Sequence, residues 1–192
     1  MRRERRHLRT RRALSKAAVE LFAQKGYAAT SAGEIANAAD YSERTFFRHF
    51  ARKEDVVFYD LPERLLSLRS DFENPDRDSA WQVVRRAFIK NARTWEESDR
   101  VFTLARVRLF HSEPALEARY LEICLEWENA VAELIAAENG AAPESDLNSR
   151  LVAAAAVGAF RAAFRAWLAQ PATPLGDYLA TAFDNLETGL IV

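Results

Sequence analysis

Apolar residues recur along this chain at the three- and four-residue spacing of a buried helix face. Leu14, Ala17, Ala18, Leu21 and Phe22 make the first such stripe, on a helix predicted over residues 9–25 with Gly26 as its stop. A second helix starts after Thr30 or Ser31, with Glu34 placed to close a capping box and Ile35, Ala36 and Ala39 turned inward. Ser42 caps a short third helix ending near His49. There Phe46 and Phe50, four apart, plug a small core, while Arg44, Thr45, Phe47 and Arg48 lie round the helix and face outward. A fourth helix opens at Lys53-Glu54-Asp55 and continues through Val56, Val57, Leu61, Leu65 and Leu68, with Pro62 as a place to bend.

Residues 71–78, with Asn74-Pro75-Asp76, read as a loop. Further helices are predicted over residues 79–95, 99–111, 114–139, 143–169 and 174–190, with Pro114 in a first turn, Gly140 as a stop and Pro171 as a breaker. The chain is therefore read as all-α, with about nine helices. The expected division is a three-helix helix-turn-helix head with a basic N-terminal arm over residues 1–55 and a helical body over residues 56–192.

Composition agrees with that reading: 49% of residues are hydrophobic, and only 6 Gly and 6 Pro argue against a loop-rich or all-β protein. Charge adds a polarity. Residues 1–55 hold 13 Lys/Arg against 7 Asp/Glu, and the remainder holds 14 against 21. A basic front on an acidic back suits a protein that meets a polyanion with one end, although a solvated tail gives the same numbers. Cys124 is the one cysteine, so no internal disulfide forms, and a cytoplasmic setting fits. No apolar run follows the charged start, so no secretory signal is expected. The longest nearly apolar run, residues 151–160, is closed by Arg150 and Arg161 and is too short for a bilayer core of about 30 Å.

Two short capped helices joined by a tight turn can present a few side chains to base edges in a major groove. This region resembles the TetR family of bacterial one-component repressors. The resemblance is carried by Ala17-Ala18, Leu21-Phe22 and Gly26-Tyr27, by Thr30-Ser31 with Glu34-Ile35-Ala36, and by Ser42 with Thr45-Phe46-Phe47-Arg48-His49-Phe50 and Lys53-Glu54. It implies a cytoplasmic homodimer that binds an inverted-repeat operator in double-stranded DNA and, as a ligand-responsive repressor, is released by a small-molecule effector. It places Arg44 and Thr45 on base edges, Phe47 on a thymine methyl or sugar, and Arg48, His49 and Lys53 on phosphates. Ser31 is placed on a phosphate at the start of the second helix. The arm, with Arg11, tracks the backbone or enters a minor groove. For His49 a structural bond to a neighbouring helix is an equal alternative. Asp40-Tyr41 stands where the family carries Gly-Val; Asp tolerates the left-handed conformation such a turn needs.

The second half carries aromatic residues at helical spacing. Phe88, Asn91, Trp95, Phe102, Arg106, Phe110, Cys124, Trp127, Phe160, Arg161 and Phe164 are the candidate ligand-pocket residues. Aromatic stripes are also what plain core looks like. A buried Arg needs a partner, which an internal carboxylate or an anionic ligand can supply. The run from Leu151 to Ala159 is apolar on all sides. With Leu151, Ala155, Gly158, Ala162, Leu179, Phe183 and Leu186 it makes the expected dimer interface, the alternative being a central helix of a monomer. Within the family, His111-Ser112-Glu113-Pro114-Ala115-Leu116 looks like the mycofactocin-regulator subgroup, which implies an acyl-CoA-like or hydrophobic effector. Three histidines without metal spacing and no Gly-rich phosphate loop leave no sign of an enzyme, a metal or a cofactor. The competing class is a helical small-molecule carrier or interaction module without specific DNA binding.

Overall fold

The computed structural model describes residues 2–73 and 79–189, all in helices and turns. In chain order these are α1 (Arg2–Lys25), α2 (Ala32–Ala38), α3 (Glu43–His49), a 3₁₀ helix (Glu54–Phe58), α4 (Leu61–Glu73), α5 (Ala80–Ser98), α6 (Arg100–Ser112), α7 (Pro114–Glu138), α8 (Leu147–Ala169) and α9 (Leu175–Thr188). The expected loop starts later than residue 71, because α4 runs to Glu73. Asn74-Pro75-Asp76 lies outside the described residues, as does Leu190, the expected end of the last helix.

Local chemistry sets the boundaries in the first part. The Ser31 hydroxyl accepts the Glu34 N–H at 3.2 Å, and the Glu34 carboxylate accepts the Ser31 N–H at 2.8 Å, which closes the capping box of α2. Hydrogen bonds from Lys25 and Ser31 hold the Glu34 carboxyl down to about 2. Ser42 caps α3 through the Thr45 N–H at 3.2 Å. Between them Asp40 takes φ 60°, and the Tyr41 N–H reaches the Ala36 carbonyl at 2.8 Å. Removing the first cap by Ser31→Ala is expected to cost about 1 kcal/mol, seen as a melting midpoint lower by roughly 2–4 °C.

Two elements differ from the periodicity reading. The first helix begins at Arg2, so the basic arm is the N-terminal part of α1 and not a loose tail. The helix expected from Lys53 through Leu68 is broken: the 3₁₀ helix ends at Phe58, and α4 starts at Leu61. Pro62 explains the break. Its ring would clash with the Phe58 carbonyl in a continuous helix, whereas in the first turn of α4 its missing N–H costs nothing.

Contacts group the chain into two compact units, Met1–Glu63 with Val101–Leu121, and Arg64–Arg100 with Glu122–Val192. This differs from a division at residue 55. In the first unit α1 packs on α2 and on the 3₁₀ helix, and α2 packs on α3, over a core that includes Leu14, Ala18, Phe22, Ile35, Phe46, Phe50, Val56 and Val57. Val107, Phe110 and Leu116 join it, with the Phe58 and Phe110 rings 5.2 Å apart. In the second unit α8 and α9 pack together and α5 lies against both. The α9 N-terminus has no side-chain cap of its own. Glu96 of α5 accepts the Leu175 N–H at 2.8 Å and pairs with Arg100 at 3.0 Å. By length and composition α8 could cross a membrane, a length the ten-residue run understated. One of its sides is buried in this unit, and Arg150, Arg161 and Arg165 lie on its exposed side.

Candidate nucleic-acid interface

The first-unit core fixes which side of α3 faces out. Phe46 is fully buried and Phe50 almost so, which turns Arg44 and Arg48 to solvent and leaves Phe47 52% exposed. Phe47 is held edge-on against Phe46 at 5.4 Å, so its orientation is set from below. Thr45 is half-buried, and its hydroxyl lies 3.0 Å from that of Ser42. Ser31 is exposed at the start of α2. Four of these five are a guanidinium and a hydroxyl in the first turn of α3, an aromatic ring beside them and a second guanidinium in the last turn, while Ser31 stands at the start of α2.

The remaining DNA candidates are engaged within the fold. The Lys53 ammonium donates to the Tyr27 carbonyl at 2.9 Å and the Thr30 carbonyl at 3.0 Å, and lies 3.9 Å from the centre of the Tyr27 ring. It ties the chain after α3 to the α1–α2 corner, so the side chain expected on a phosphate also has a structural role. Tyr27 in turn bonds Glu54. Arg11 is half-buried with its guanidinium 5.1 Å over the Phe50 ring, so its charge is shared with packing. The His49 and His7 rings are in tilted contact, with centroids 4.4 Å apart. Burial, followed by the neighbouring His7, Arg48 and Arg11, pulls the His49 imidazole down to about 4, so it is neutral at pH 7.

His7 was absent from the sequence-derived site, as was Thr10, whose hydroxyl lies 3.4 Å from that of Tyr41. The signal existed. His7, Thr10, Arg11 and Leu14 continue the spacing of the buried α1 stripe toward the N-terminus in polar residues, which an apolar count passes over.

The ligand-pocket candidates separate between the units. In the second, Phe88 meets Trp127 at 5.9 Å and Phe160 at 5.8 Å, Trp95 meets Phe164 at 5.1 Å, and Cys124 is buried. The Asn91 side chain donates to the Ala87 carbonyl at 3.0 Å. Arg161 is exposed on α8, which corrects its reading as a buried cation. Phe102, Arg106 and Phe110 belong to the first unit. There Arg106, 2% exposed, meets Asp60 at 2.8 Å, so its partner is an internal carboxylate.

A groove of about 560 Å³ in the second unit lies on the outer side of α5, lined by Gln82, Arg85, Arg86, Ile89, Lys90 and Arg93 with Ala180 and Glu187 of α9. Its cations are matched across the helices: Arg85 pairs with Asp184 at 2.5 Å, Lys90 with Asp71 at 2.8 Å and Arg93 with Asp177 at 3.7 Å.

The expected dimer face is split. Leu151 is 63% exposed, Gly158 and Ala162 are exposed, and nothing lies within 4 Å of where a Gly158 Cβ would stand. Ala155 and Leu186 are half-buried. Leu179 and Phe183 are 0% exposed in the single chain, which removes them from the interface. The apolar stripe of α9 is covered by α5 and α8 of its own chain, with Phe183 against Trp81 at 5.1 Å. Phe183→Ala is expected to cost about 3–5 kcal/mol in a denaturant melt; an interface residue would cost little in a monomer.

Known proteins match both parts of this layout. Residues 14–59 match the family model described as bacterial regulatory proteins, tetR family, and residues 78–191 match the MftR C-terminal domain. The HTH-type transcriptional regulator TcmR of Streptomyces glaucescens is 34% identical over 95% of this chain and 83% of its own. A Mycobacterium tuberculosis protein named MftR, for mycofactocin biosynthesis, is 29% identical over 92% of this chain and 89% of its own. Among solved structures, Thermus thermophilus FadR, a TetR-family transcriptional repressor in complex with lauroyl-CoA, is 25% identical with a TM-score of 0.57 over 95% of both chains. Bacillus subtilis FadR with stearoyl-CoA shares the fold at 18% identity, with a TM-score of 0.62 over 93% of this chain and 98% of that one. A helix-turn-helix head with an outward-facing α3, followed by a body of the MftR type, makes this chain a member of the TetR family of transcriptional regulators.

Proposed function

We propose that two copies of this chain bind an inverted-repeat operator as a repressor, in the cytoplasm, and that a small-molecule effector releases them. The observation that carries this reading is α3, with Arg44, Phe47 and Arg48 exposed and Thr45 half-buried beside them, above a buried Phe46 and Phe50. Arg bonds guanine through O6 and N7, and an aromatic ring packs on a thymine methyl. Pairing is assigned to the exposed side of α8, where Leu151, Gly158 and Ala162 let a second helix approach closely. Two-fold pairing sets the two α3 copies about one DNA turn, roughly 34 Å, apart.

The effector reading rests on the second-unit aromatic cluster and on the lauroyl-CoA carried by Thermus thermophilus FadR. Trp167 adds to it. Its ring is fully buried, and its Nε1–H has no hydrogen-bond partner among the described residues, so a bound acceptor would satisfy it. The effector then acts by favouring one of two tilts of α4, which begins in one unit and continues into the other. A ligand with equal affinity for both would shift nothing.

Lauroyl-CoA is the probe. DNA from upstream of the protein's own gene should show a protected near-palindrome, and lauroyl-CoA should raise its dissociation constant at least about fivefold, a coupling near 1 kcal/mol. Protection of no DNA, with lauroyl-CoA still bound, would favour the carrier instead. Leu151→Glu combined with Gly158→Glu should sediment as a monomer and lose the footprint; a dimer that survives both would move the seam elsewhere.

A further inference from the structure

We propose that His7 and His49 form a proton-linked site for a DNA backbone phosphate at the C-terminal end of α3, so that duplex binding takes up a proton. The proposal rests on the DNA-binding reading and adds to it a residue of α1 and a pH response.

The geometry comes from two helices. His7 lies near the start of α1 and His49 closes α3, and their rings meet at 4.4 Å, tilted by 41°. The Thr10–Tyr41 hydroxyl contact holds α1 in register beside α3. Phe50 stands beside His49 at 6.5 Å, with Arg11 over its ring. The Nδ1 of His49 is buried and has no hydrogen-bond partner among the described residues. Among the described residues, the titratable and charged groups that act on His49 are His7 and Arg11 from α1 and Arg48 from α3.

Placing a proton on the His49 ring adds positive charge to a site already bounded by two guanidinium groups, so the free protein holds that ring neutral at pH 7. An arriving phosphate reverses the balance, because a nearby negative charge favours the imidazolium. The proton comes from solvent to a ring nitrogen, the phosphate accepts the resulting N–H, and no covalent bond changes. The anion is assigned to the DNA backbone because Arg44, Thr45 and Phe47, on the same short helix, face the base edges.

The sign follows from linkage. Binding raises the proton affinity of the pair, so DNA affinity rises as the pH falls through the proton affinity of the bound state. It levels off once the free pair is protonated too. The chain has only three histidines, at 7, 49 and 111, so the response can be assigned by single substitutions. His111 lies on α6, 3.9 Å from Glu117, and serves as the control.

Because a phosphate contact carries no sequence information, a mixed-sequence 30-base-pair duplex at low salt is a sufficient probe. Affinity measured by fluorescence anisotropy from pH 8 to 5.5 should tighten by up to about tenfold per pH unit at its steepest. Calorimetry in two buffers of different ionisation enthalpy should count the proton taken up. His49→Gln should flatten both readings, and so should His7→Gln, which alters an exposed side chain and leaves the core untouched. His111→Gln should keep the wild-type slope. Equal pH slope and proton uptake in wild type, His7→Gln and a folded His49→Gln would overturn the inference while leaving DNA binding in place. A duplex bound at no pH would overturn both.

Discussion

Replacing Arg44 and Thr45 by Ala together is expected to weaken operator binding by roughly 30-fold at the least, and by more than about 1,000-fold if both contacts are made in each half-site. A well-formed side-chain contact to a base edge is worth about 1–3 kcal/mol, and a two-fold dimer counts each contact twice. The protein itself should barely notice. Arg44 is exposed, and the Thr45 hydroxyl meets only that of Ser42, while the cap of α3 is made by the Thr45 backbone N–H and survives the change. Circular dichroism and sedimentation should therefore match wild type while gel retardation of the operator fails. Phe46→Ala is the contrasting substitution on the same helix. It removes a fully buried ring and should cost about 3–5 kcal/mol of stability, so its loss of binding would come with a lower melting midpoint. Wild-type affinity in the folded double variant would mean that α3 does not read the bases.

That contrast was legible because α2 and α3 are written in local chemistry. Ser31 with Glu34, Ser42 with the Thr45 N–H, and Asp40 in the left-handed turn each depend on residues within a few positions. What sequence did not disclose was decided by distant partners. Lys53 reads as a phosphate ligand, and its bonds to the distant Tyr27 and Thr30 carbonyls could not be foreseen. Leu179 and Phe183 follow the same apolar spacing whether they meet a second copy or α5 and α8 of their own chain. Arg161 interrupts an apolar run, and periodicity alone cannot say that it points outward. The break before α4 was readable in principle. The clash of Pro62 with the Phe58 carbonyl is local, but the apolar pattern from Val56 to Leu68 runs on through it. His7 is a further case, an exposed polar residue that continues the spacing of the α1 stripe and meets His49.

Arg106→Met should lower the melting midpoint by about 6–20 °C. Arg106 is 2% exposed, its Nη2 donates to the Asp60 carboxylate at 2.8 Å, and its guanidinium lies 4.7 Å from the centre of the Tyr59 ring. Removing one partner of a buried ion pair strands the other and costs about 3–5 kcal/mol, and each kcal/mol moves the midpoint of a chain this size by about 2–4 °C. Asp60→Asn should be comparably harmful, while Arg106→Met with Asp60→Leu should regain much of the loss, because a well-packed apolar pair avoids the desolvation cost. If Arg106 only fills space, Asp60→Asn would cost nothing and the double variant would be no better than the single. The pair matters beyond stability because of where it stands. Asp60 follows the 3₁₀ helix, and Asp55 within that helix accepts from Arg119 of α7 at 2.8 Å. The segment joining the head to α4 is thus gripped at both ends by cations from α6 and α7, while Lys53 and Glu54 tie it back to Tyr27 and Thr30. In the proposed mechanism a tilt of α4 is passed to α3 through that segment, which precedes α4 directly in the chain. Variants that loosen the grip should therefore show DNA binding less responsive to lauroyl-CoA, at temperatures where the head is still folded.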